Sequence, residues 1–255
     1  MLVNNHKLKV TLMENIKISF SPKQKHLDEI AEWMLEDKKI PITSNGNWPS
    51  ISYAFKNKNL VIATYKNKTV GFYTLSKPDL TIAIGVAEVD PNYRNKGIGK
   101  LMLQEIIKKY ETKNTYAFYL FCAPESSQRI WKKLGFKYFP NNSANDKPDK
   151  IEMYKIIKPC LKSQKSNLKN ENEVIEIWNN EPRRTDDENP TWVFNLKYKK
   201  NTKTLNKPIV IFGDFDWRVR WRKGTEIFKD CKYKWFDRNN EEFSCMIIEE
   251  TPKSK

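Results

Sequence analysis

Apolar residues follow two different spacings along roughly the first 160 positions of the chain. A spacing of three or four residues, typical of an amphipathic helix, marks stretches such as Leu27 to Leu35 and Ile98 to Ile107. Two-residue alternation or a short apolar run marks strands. The pattern predicts the order strand, helix, helix, strand, strand, strand, helix, strand, helix, strand, and hence a mixed α/β domain. The predicted strands are 16–20, 60–65, 69–75, 81–89, 116–122 and 151–157.

The last third of the chain shows a different pattern. Residues 160–172 are polar and rich in Lys, Asn and Ser, which is typical of a linker. Beyond them, turn residues such as Pro190 and Gly224 separate short alternating stretches, and helical periodicity is absent. We therefore expect an α/β domain over residues 1–159, a linker over 160–172 and a smaller β-rich domain over 173–255. The predicted strands of the smaller domain are 174–178, 192–198, 208–212, 217–221 and 243–248.

The composition is that of a folded protein, with 39% hydrophobic and 13% aromatic residues among 255. Four cysteines without a CxxC pair and only two histidines argue against a disulfide framework and against a zinc site. No apolar run reaches membrane-spanning length, and residues 1–12 lack the apolar centre of a signal peptide. We expect a cytoplasmic protein with no metal and no membrane attachment.

The formal net charge of +15 allows two interpretations. It could serve an anionic partner, such as a phosphorylated cofactor, a nucleic acid or a membrane surface. It could also be compositional, because Lys and Asn are abundant throughout and Lys is an ordinary solvated surface residue. The compositional interpretation is favoured as the main cause, although a basic chain would still attract a phosphorylated cofactor. Residues 1–159 carry +11 of the charge and residues 160–255 carry +4.

One segment, Val89 to Leu101, has the pattern of an anion-binding loop. Its sequence is VDPNYRNKGIGKL, and it joins a predicted strand to a predicted helix. The first N–H groups of a helix have no partner within the helix, and the helix dipole adds positive potential there. Gly97 and Gly99 lack a Cβ, so a phosphate group can approach the backbone closely. Lys96 and Lys100 add mobile positive charge.

Two segments resemble the GNAT family of N-acetyltransferases. The first is the acetyl-CoA signature Arg/Gln-x-x-Gly-x-Gly/Ala, here Arg94, Gly97 and Gly99, preceded by a strand that ends in Val-Asp-Pro. The second is the strand 116–122 followed by 126–136, which ends in WKKLGF where family members commonly end in a similar Tyr-Glu-Lys-Leu-Gly-Phe. The resemblance covers roughly residues 15–158 in the family's order of elements. It implies the GNAT-like acyl-CoA N-acyltransferase fold.

The resemblance also implies a cofactor, a reaction and a set of binding residues. The backbone of residues 87–89 would bind the pantetheine arm of acetyl-CoA, and residues 95–100 would bind its pyrophosphate. The implied reaction is direct transfer of the acetyl group to an amine, with both substrates bound together. The acceptor could be a small molecule, a protein or an aminoacyl group. The implied cofactor-binding residues are Ala87, Glu88, Val89, Arg94, Asn95, Lys96, Gly97, Ile98, Gly99 and Lys100.

The chain departs from the family pattern at two positions that bear on catalysis. Trp131 stands where many members have a Tyr that acts as general acid, and an indole N–H can only donate a hydrogen bond. Pro124 stands where an Asn is often found. Glu88 is a candidate general base, and Tyr119 on the next strand is a candidate acid. Further candidates by location alone are Tyr116 and Cys122. Each of these side chains could instead serve packing or face solvent.

The smaller domain resembles no family and leaves two interpretations of its basic strand open. One face of the predicted strand carries Trp217, Val219 and Trp221, and the other carries Arg218, Arg220 and Arg222. Aromatic and basic side chains together could bind nucleic acid. Stacking and phosphate contacts would need both kinds on one face, so an amphipathic strand with a buried Trp face is favoured. A second function also stays open, in which a catalytically weakened acetyl-CoA-binding protein uses this domain to bind a partner.

Overall fold

Residues 1–136 and 137–255 form two compact units in this computed structural model. The structure describes residues 14–38, 46–140, 151–164, 172–236 and 245–252. The N-terminal segment 1–12 lies outside the described residues. Most of the predicted linker, residues 165–171, and the beginning of the last predicted strand, residues 243–244, also lie outside them.

The first unit has the predicted order of elements. Its strands lie side by side in the order in which they follow along the chain, and all neighbours are antiparallel except the last pair, which is parallel. The strands are β1 (Ile16–Ser19), β2 (Leu60–Tyr65), β3 (Lys68–Leu75), β4 (Thr81–Val89) and β5 (Ala117–Cys122). The helices are α1 (Gln24–Lys38), α2 (Trp48–Lys56), α3 (Ile98–Glu111) and α4 (Gln128–Lys133). The mixed α/β prediction is confirmed for this unit.

Helices cover both faces of this sheet. The apolar stripes of α1 and α2 pack on one face, in a core that contains Ile30, Ile51 and Phe72. The other face carries α3, where the ring of Tyr110 lies 6.0 Å from that of Phe118 on β5. A residue's position along β4 or β5 therefore decides which helices its side chain faces, because successive side chains point to opposite faces.

The second unit is β-rich, as predicted. Four strands form a sheet in the order β12-β11-β8-β9, β10 pairs with β13, and β6 pairs with β7. The strands are β6 (Lys137–Tyr138), β7 (Ile151–Ile156), β8 (Glu173–Ile177), β9 (Trp192–Asn195), β10 (Thr204–Phe212), β11 (Arg218–Lys223), β12 (Glu226–Lys232) and β13 (Cys245–Glu250), with one helical turn, α5 (Tyr233–Phe236). Strands β6 and β12 and the turn α5 were not predicted from the sequence.

The division between the units falls earlier than the expected linker. Tyr154 of β7 stacks on Phe212 of β10 with ring centroids 4.4 Å apart, and Phe139 lies 4.9 Å from the same ring. The backbone N–H of Leu161, in the expected linker, donates to the carbonyl oxygen of Pro208. These contacts group residues 137–140 and 151–164 with the second unit. Independent folding of residues 1–159 stays a prediction.

The basic strand β11 is amphipathic. Trp217, Val219 and Trp221 belong to the buried apolar core of the second unit. On the opposite face, the guanidinium groups bind carboxylates of the neighbouring strands β8 and β12. This arrangement agrees with the favoured interpretation of a buried Trp face.

Candidate functional site

Strands β4 and β5 separate partway along their length. Their parallel register runs from Thr81, opposite Ala117, to Ile84, opposite Leu120. Strand β4 then continues to Val89 without a further register partner on β5 among the described residues. The end of β4 therefore presents an edge beside the split.

A bulge in β4 lies at the beginning of this edge. Tyr73 pairs with Ala87 and Leu75 pairs with Ile84, so β4 has one residue more than β3 in this interval. The backbone N–H of Val86 donates to Oγ1 of Thr74 over 2.7 Å instead of to the strand ladder. The bulge therefore lies where β4 leaves β5.

The turn after β4 is built by its own side chains. Asp90, which is only 8% exposed, accepts the N–H of Asn92 over 2.9 Å and caps the short helical turn Pro91–Tyr93. Gly97 then precedes α3 with a φ of 93°, a left-handed conformation that glycine adopts at little cost. The first intrahelical bond of α3 runs from the N–H of Leu101 to the carbonyl of Gly97.

The beginning of α3 carries the site's most distinctive feature. Within the described part of the chain, none of the backbone N–H groups of residues 95–100 donates to a protein acceptor. Helix geometry leaves the first four of any helix unpaired, and here the preceding loop extends the run to six. These donors and the helix dipole favour an anion.

The basic side chains of Arg94 and Lys96 bind back to the loop instead of extending into solvent. The Nε of Arg94 donates to the carbonyl oxygen of Val89 over 3.0 Å, and its terminal nitrogen lies 2.9 Å from a carboxylate oxygen of Asp37 in α1. The Nζ of Lys96 donates to the carbonyl oxygen of Asn92 over 2.7 Å. Arg94 therefore connects the end of β4 to the end of α1.

Tyr73 connects the sheet to the beginning of α3. It is cross-strand from Ala87, and its hydroxyl donates to the carbonyl oxygen of Gly99 over 3.0 Å. Burial raises its pKa far above the usual range, so the hydroxyl stays protonated. The predicted pantetheine-binding residues Ala87 and Val89 thus lie on the α3 face of β4, since Val89 contacts the Cβ position of Gly99 at 3.8 Å.

The two predicted catalytic residues share a face but are not adjacent. Glu88 is cross-strand from Phe72, which packs under α1 and α2, so Glu88 belongs to that face. Tyr119 is opposite Ala83 and lies on the same face, because its neighbour Phe118 faces α3. Tyr119 lies in the paired part of β5, about four strand positions, or roughly 13 Å, below Glu88.

The two further candidates are buried. Tyr116 is 7% exposed and precedes β5. Cys122 is buried on the α3 face, with its Sγ 3.1 Å from Oγ of Ser127. Burial raises the pKa of the Cys122 thiol, and the Ser127 contact opposes that shift only in part. Both residues stay candidates by location alone.

Trp131 fills the space between α4 and the α3 face of the sheet. Its ring meets Tyr73 edge-to-face with centroids 6.3 Å apart, and it meets Phe136 in the same way at 5.2 Å. Such edge-to-face contacts between aromatic rings stabilise packing. The Trp131 ring therefore packs beside the candidate site and forms part of its wall.

The contribution of α1 to this region was not predicted from the sequence. Trp33, Glu36 and Asp37 lie at the end of this helix and come close to the turn after β4. No local signal in the sequence indicates this approach, because only the tertiary fold brings the end of α1 to that turn.

The match of a protein-family model identifies the domain that contains this site. The model of the acetyltransferase (GNAT) family matches residues 27–136, which include β4, the loop and the beginning of α3. Residues 27–136 are a GNAT acetyltransferase domain. The predicted resemblance is confirmed over that range, and with it the broad class of acyltransferase.

Several solved structures are similar to the GNAT domain. An acetyltransferase of the GNAT family from Staphylococcus aureus Mu50 is 22% identical, the match covers 56% of this chain and 99% of that one, and the TM-score is 0.45. Ard1 from Thermoplasma volcanium is 17% identical, with coverages of 57% and 99% and a TM-score of 0.44. The PaiA N-acetyltransferase from Thermoplasma acidophilum, in complex with coenzyme A, is 17% identical, with coverages of 55% and 98% and a TM-score of 0.43.

No curated protein matches the sequence. Among the described residues, no helix is long and apolar enough to cross a membrane.

Proposed function

We propose that the chain is an N-acetyltransferase that moves the acetyl group of acetyl-CoA directly to an amine. The observation that carries this proposal is the run of unpaired N–H groups over residues 95–100, beside the free end of β4. A pyrophosphate offers oxygen acceptors for these donors, and its charge suits the N-terminus of α3.

Gly99 supports the fit of a pyrophosphate to this loop. The nearest protein atoms to a Cβ built on Gly99 lie 3.8 Å away, which is ordinary contact distance. The packing of the chain itself therefore does not require a glycine at this position. A ligand that approaches the backbone closely does require one.

The pantetheine arm fits the edge of β4 beyond the split. Its amide groups can hydrogen-bond to a strand edge as another strand would. Ala87 and Val89 lie on the α3 face of this edge, next to Tyr73 and Gly99. Arg94 and Lys96 then act by holding the loop in place, and exposed Lys100 adds charge near the phosphates.

In the reaction the amine loses one proton, and the C–S bond of the thioester is replaced by a C–N bond. The amine nitrogen attacks the thioester carbonyl carbon, the C–S bond breaks, and CoA leaves as a thiolate. Glu88 accepts the proton of the attacking amine, an assignment that rests on its place in β4 between Ala87 and Val89, the residues proposed to bind the pantetheine arm. Tyr119 stays the candidate acid, although its distance along the sheet from Glu88 favours protonation of the thiolate by water.

An assay of acetyl transfer tests the proposal. The protein is incubated with acetyl-CoA and single amines, free thiol is measured, and products are identified by intact mass. We expect thiol release that depends on the amine and an acetylated product. Glu88→Gln should lower kcat at neutral pH while the affinity for CoA is unchanged.

The competing function is that of a catalytically weakened acetyl-CoA-binding protein whose β-rich unit binds a partner. Trp131 and Pro124, at the positions where the family commonly has Tyr and Asn, favour it. This function predicts CoA binding without transfer to any amine of the panel. Thiol release that needs both an amine and intact Glu88 would exclude it. Under either function, a cytoplasmic location stays a prediction.

A further inference from the structure

An ion pair connects the end of α1 to the loop that precedes α3. The terminal guanidinium nitrogen of Arg94 lies 2.9 Å from a carboxylate oxygen of Asp37, and its Nε donates to the carbonyl oxygen of Val89 over 3.0 Å. These are the hydrogen bonds of the Arg94 side chain within the described residues. The guanidinium therefore binds both the last residue of β4 and a helical residue 57 positions away in sequence.

The loop itself contains little that fixes its conformation. Asn95 and Gly97 have left-handed backbones, with φ angles of 61° and 93°. A left-handed backbone costs free energy in a residue that has a Cβ. The N–H groups of residues 95–100 have no acceptor in the part of the chain that the structure describes. A segment with so few backbone hydrogen bonds of its own keeps one conformation only where side chains hold it.

Asp37 is the fixed end of this connection. Lys96 and Asp90 also bind the turn, but both of them bind Asn92, so their bonds stay within the turn and move with it. Asp37 belongs instead to α1, where Met34, about one helical turn earlier, is fully buried in the core. The Asp37 side chain is itself partly buried, with 21% of its surface exposed. The guanidinium is therefore held by a helix that the core keeps in place.

We propose that Asp37 is a positioning residue for the cofactor. It orients Arg94, and Arg94 in turn holds the loop so that the N–H groups of residues 95–100 converge on the pyrophosphate. The inference rests on the proposed function and adds a residue of α1 to the residues that serve it. Asp37 acts through Arg94 and not by contact with CoA. Arg94 acts on the loop and not as a ligand of the phosphates, because its guanidinium is already bound to a carboxylate.

The sign of the effect separates positioning from simple electrostatics. Asp37 and CoA are both negatively charged, so loss of the carboxylate would tighten CoA binding by up to about twofold through Coulomb interaction alone. Loss of a positioning contact weakens binding instead, because CoA then has to order the loop when it binds. The two explanations therefore predict changes of opposite direction in one measured quantity.

Calorimetric titration of the full chain with CoA makes this measurement. Asp37→Asn should weaken CoA binding about fivefold, and Asp37→Glu, which keeps the carboxylate, should bind CoA within about twofold of the unmodified chain. Glu36→Gln is the matched control, because Glu36 is the neighbouring residue, is exposed and forms no ion pair within the described residues. It removes the same charge and should leave CoA affinity unchanged or up to about twofold tighter.

Two further measurements show whether Asp37 acts through Arg94. In an Arg94→Met background, Asp37→Asn should cause no further weakening of CoA binding, because the contact between the two side chains is already lost. A loss as large as in the unmodified background would overturn the route through Arg94. In steady-state acetyl transfer, Asp37→Asn should raise KM for acetyl-CoA about fivefold and leave kcat within about twofold, because it changes cofactor binding and not the chemistry.

The inference and the proposed function fail in different ways. A folded Asp37→Asn protein that binds CoA as tightly as the unmodified chain, or more tightly, overturns the inference, and so does an equal loss in Glu36→Gln. If Asp37→Asn does not fold, Arg94→Lys decides. It keeps the positive charge but lacks the planar group that binds Val89 and Asp37 together, so unchanged CoA affinity overturns the inference. Failure of the proposed function is seen instead as absence of CoA binding by the unmodified chain, or of thiol release with any amine.

Discussion

Two basic segments of the chain, residues 94–100 and strand β11, differ in what their hydrogen-bond donors contact. In the first segment, six consecutive backbone N–H groups have no acceptor within the described residues. In β11, the guanidinium groups of the arginines already form ion pairs with carboxylates. The closest contacts are Arg218 with Asp230 at 2.8 Å, Arg220 with Asp230 at 2.8 Å, and Arg222 with Glu176 at 2.7 Å. Available donors, rather than density of positive charge, distinguish an anion site from a structural ion-pair network.

Trp178, the aromatic residue beside β11, also makes its contacts within the protein. The guanidinium carbons of Arg218 and Arg220 lie 4.8 and 5.0 Å from the centre of the Trp178 ring, and the indole N–H of Trp178 donates to the carbonyl of Glu188. Trp178 is also 2% exposed. A ring in this position has no face to offer to a nucleic-acid base, so Trp178 does not serve as a stacking platform.

The largest effect should come from a negative charge placed among the free donors. Gly99→Asp puts a carboxylate at the beginning of α3, where it competes for the same N–H groups and repels the pyrophosphate. We expect CoA affinity to fall by roughly 100-fold or more, which corresponds to about 2.7 kcal/mol. Calorimetric titration with CoA measures this.

The matched control is Gly99→Ala, which adds the Cβ without the charge. The protein has room for a Cβ there, with its nearest atoms at 3.8 Å, so this variant should fold normally and lose less affinity than the Asp variant. Substitution of Gly97 is a poorer test, because its φ of 93° would strain any other residue. A folded Gly99→Asp protein with unchanged CoA affinity would falsify the loop assignment.

The second effect concerns stability of the other basic segment. Arg218 is 7% exposed and forms two hydrogen bonds to Asp230. Arg218→Ala leaves that partly buried carboxylate with fewer partners, so we expect the second unit to lose about 2–3 kcal/mol of unfolding free energy. Urea denaturation followed by tryptophan fluorescence measures the loss.

Affinity for CoA should stay the same in Arg218→Ala, because the proposed cofactor site belongs to the first unit. Lys223→Ala, at the exposed end of the same strand, is the control and should change stability by less than about 0.5 kcal/mol. If Arg218→Ala instead weakened binding of a nucleic acid without a change in stability, the contrast between the two segments would be wrong.

A smaller effect is expected at the wall of the site. Trp131→Phe keeps an aromatic ring against Tyr73 and Phe136, so it should keep acetyl transfer within about threefold of the unmodified chain and lower stability by about 1 kcal/mol. Steady-state kinetics and thermal unfolding measure the two quantities. A fall in kcat of several orders of magnitude, with CoA affinity and stability intact, would instead assign Trp131 a role in the chemistry.

The parts of the fold that were predictable depend on residues close together in sequence. The spacing of α3 and the glycines before it can be read within a dozen positions, and so can the alternation of β11. Strand β12 was missed because Glu226–Lys232 shows no clear alternation, and its strand structure depends on pairing with β11.

The approach of α1 to the loop before α3 could not be predicted, because only the tertiary fold brings the two together. Asp37 and Arg94 are 57 residues apart in sequence, yet their side chains form an ion pair. Periodicity places apolar residues of α1 such as Met34 in the core, and it carries no information about which distant segment the helix end contacts. Long-range contacts of this kind lie beyond what local pattern can specify.

The last prediction is that removing residues 160–255 leaves CoA binding unchanged. All residues proposed to bind CoA lie between Ala87 and Lys100, in the first unit, and the second unit has its own apolar core. A fragment of residues 1–159 should therefore fold and bind CoA with the affinity of the full chain. The competing idea is that strands of the second unit complete the core of the first.

Comparison of two fragments decides between these ideas. The fragment 1–159 retains Phe139 and Tyr154 without their partner Phe212, whereas 1–136 ends where the first compact unit ends. Thermal unfolding and CoA titration are measured for both and for the full chain. A cooperative transition and full CoA affinity in 1–159 support an independent cofactor domain. If 1–159 is insoluble or melts without a cooperative transition, the second unit is structural, and the cofactor-binding unit does not fold independently of it.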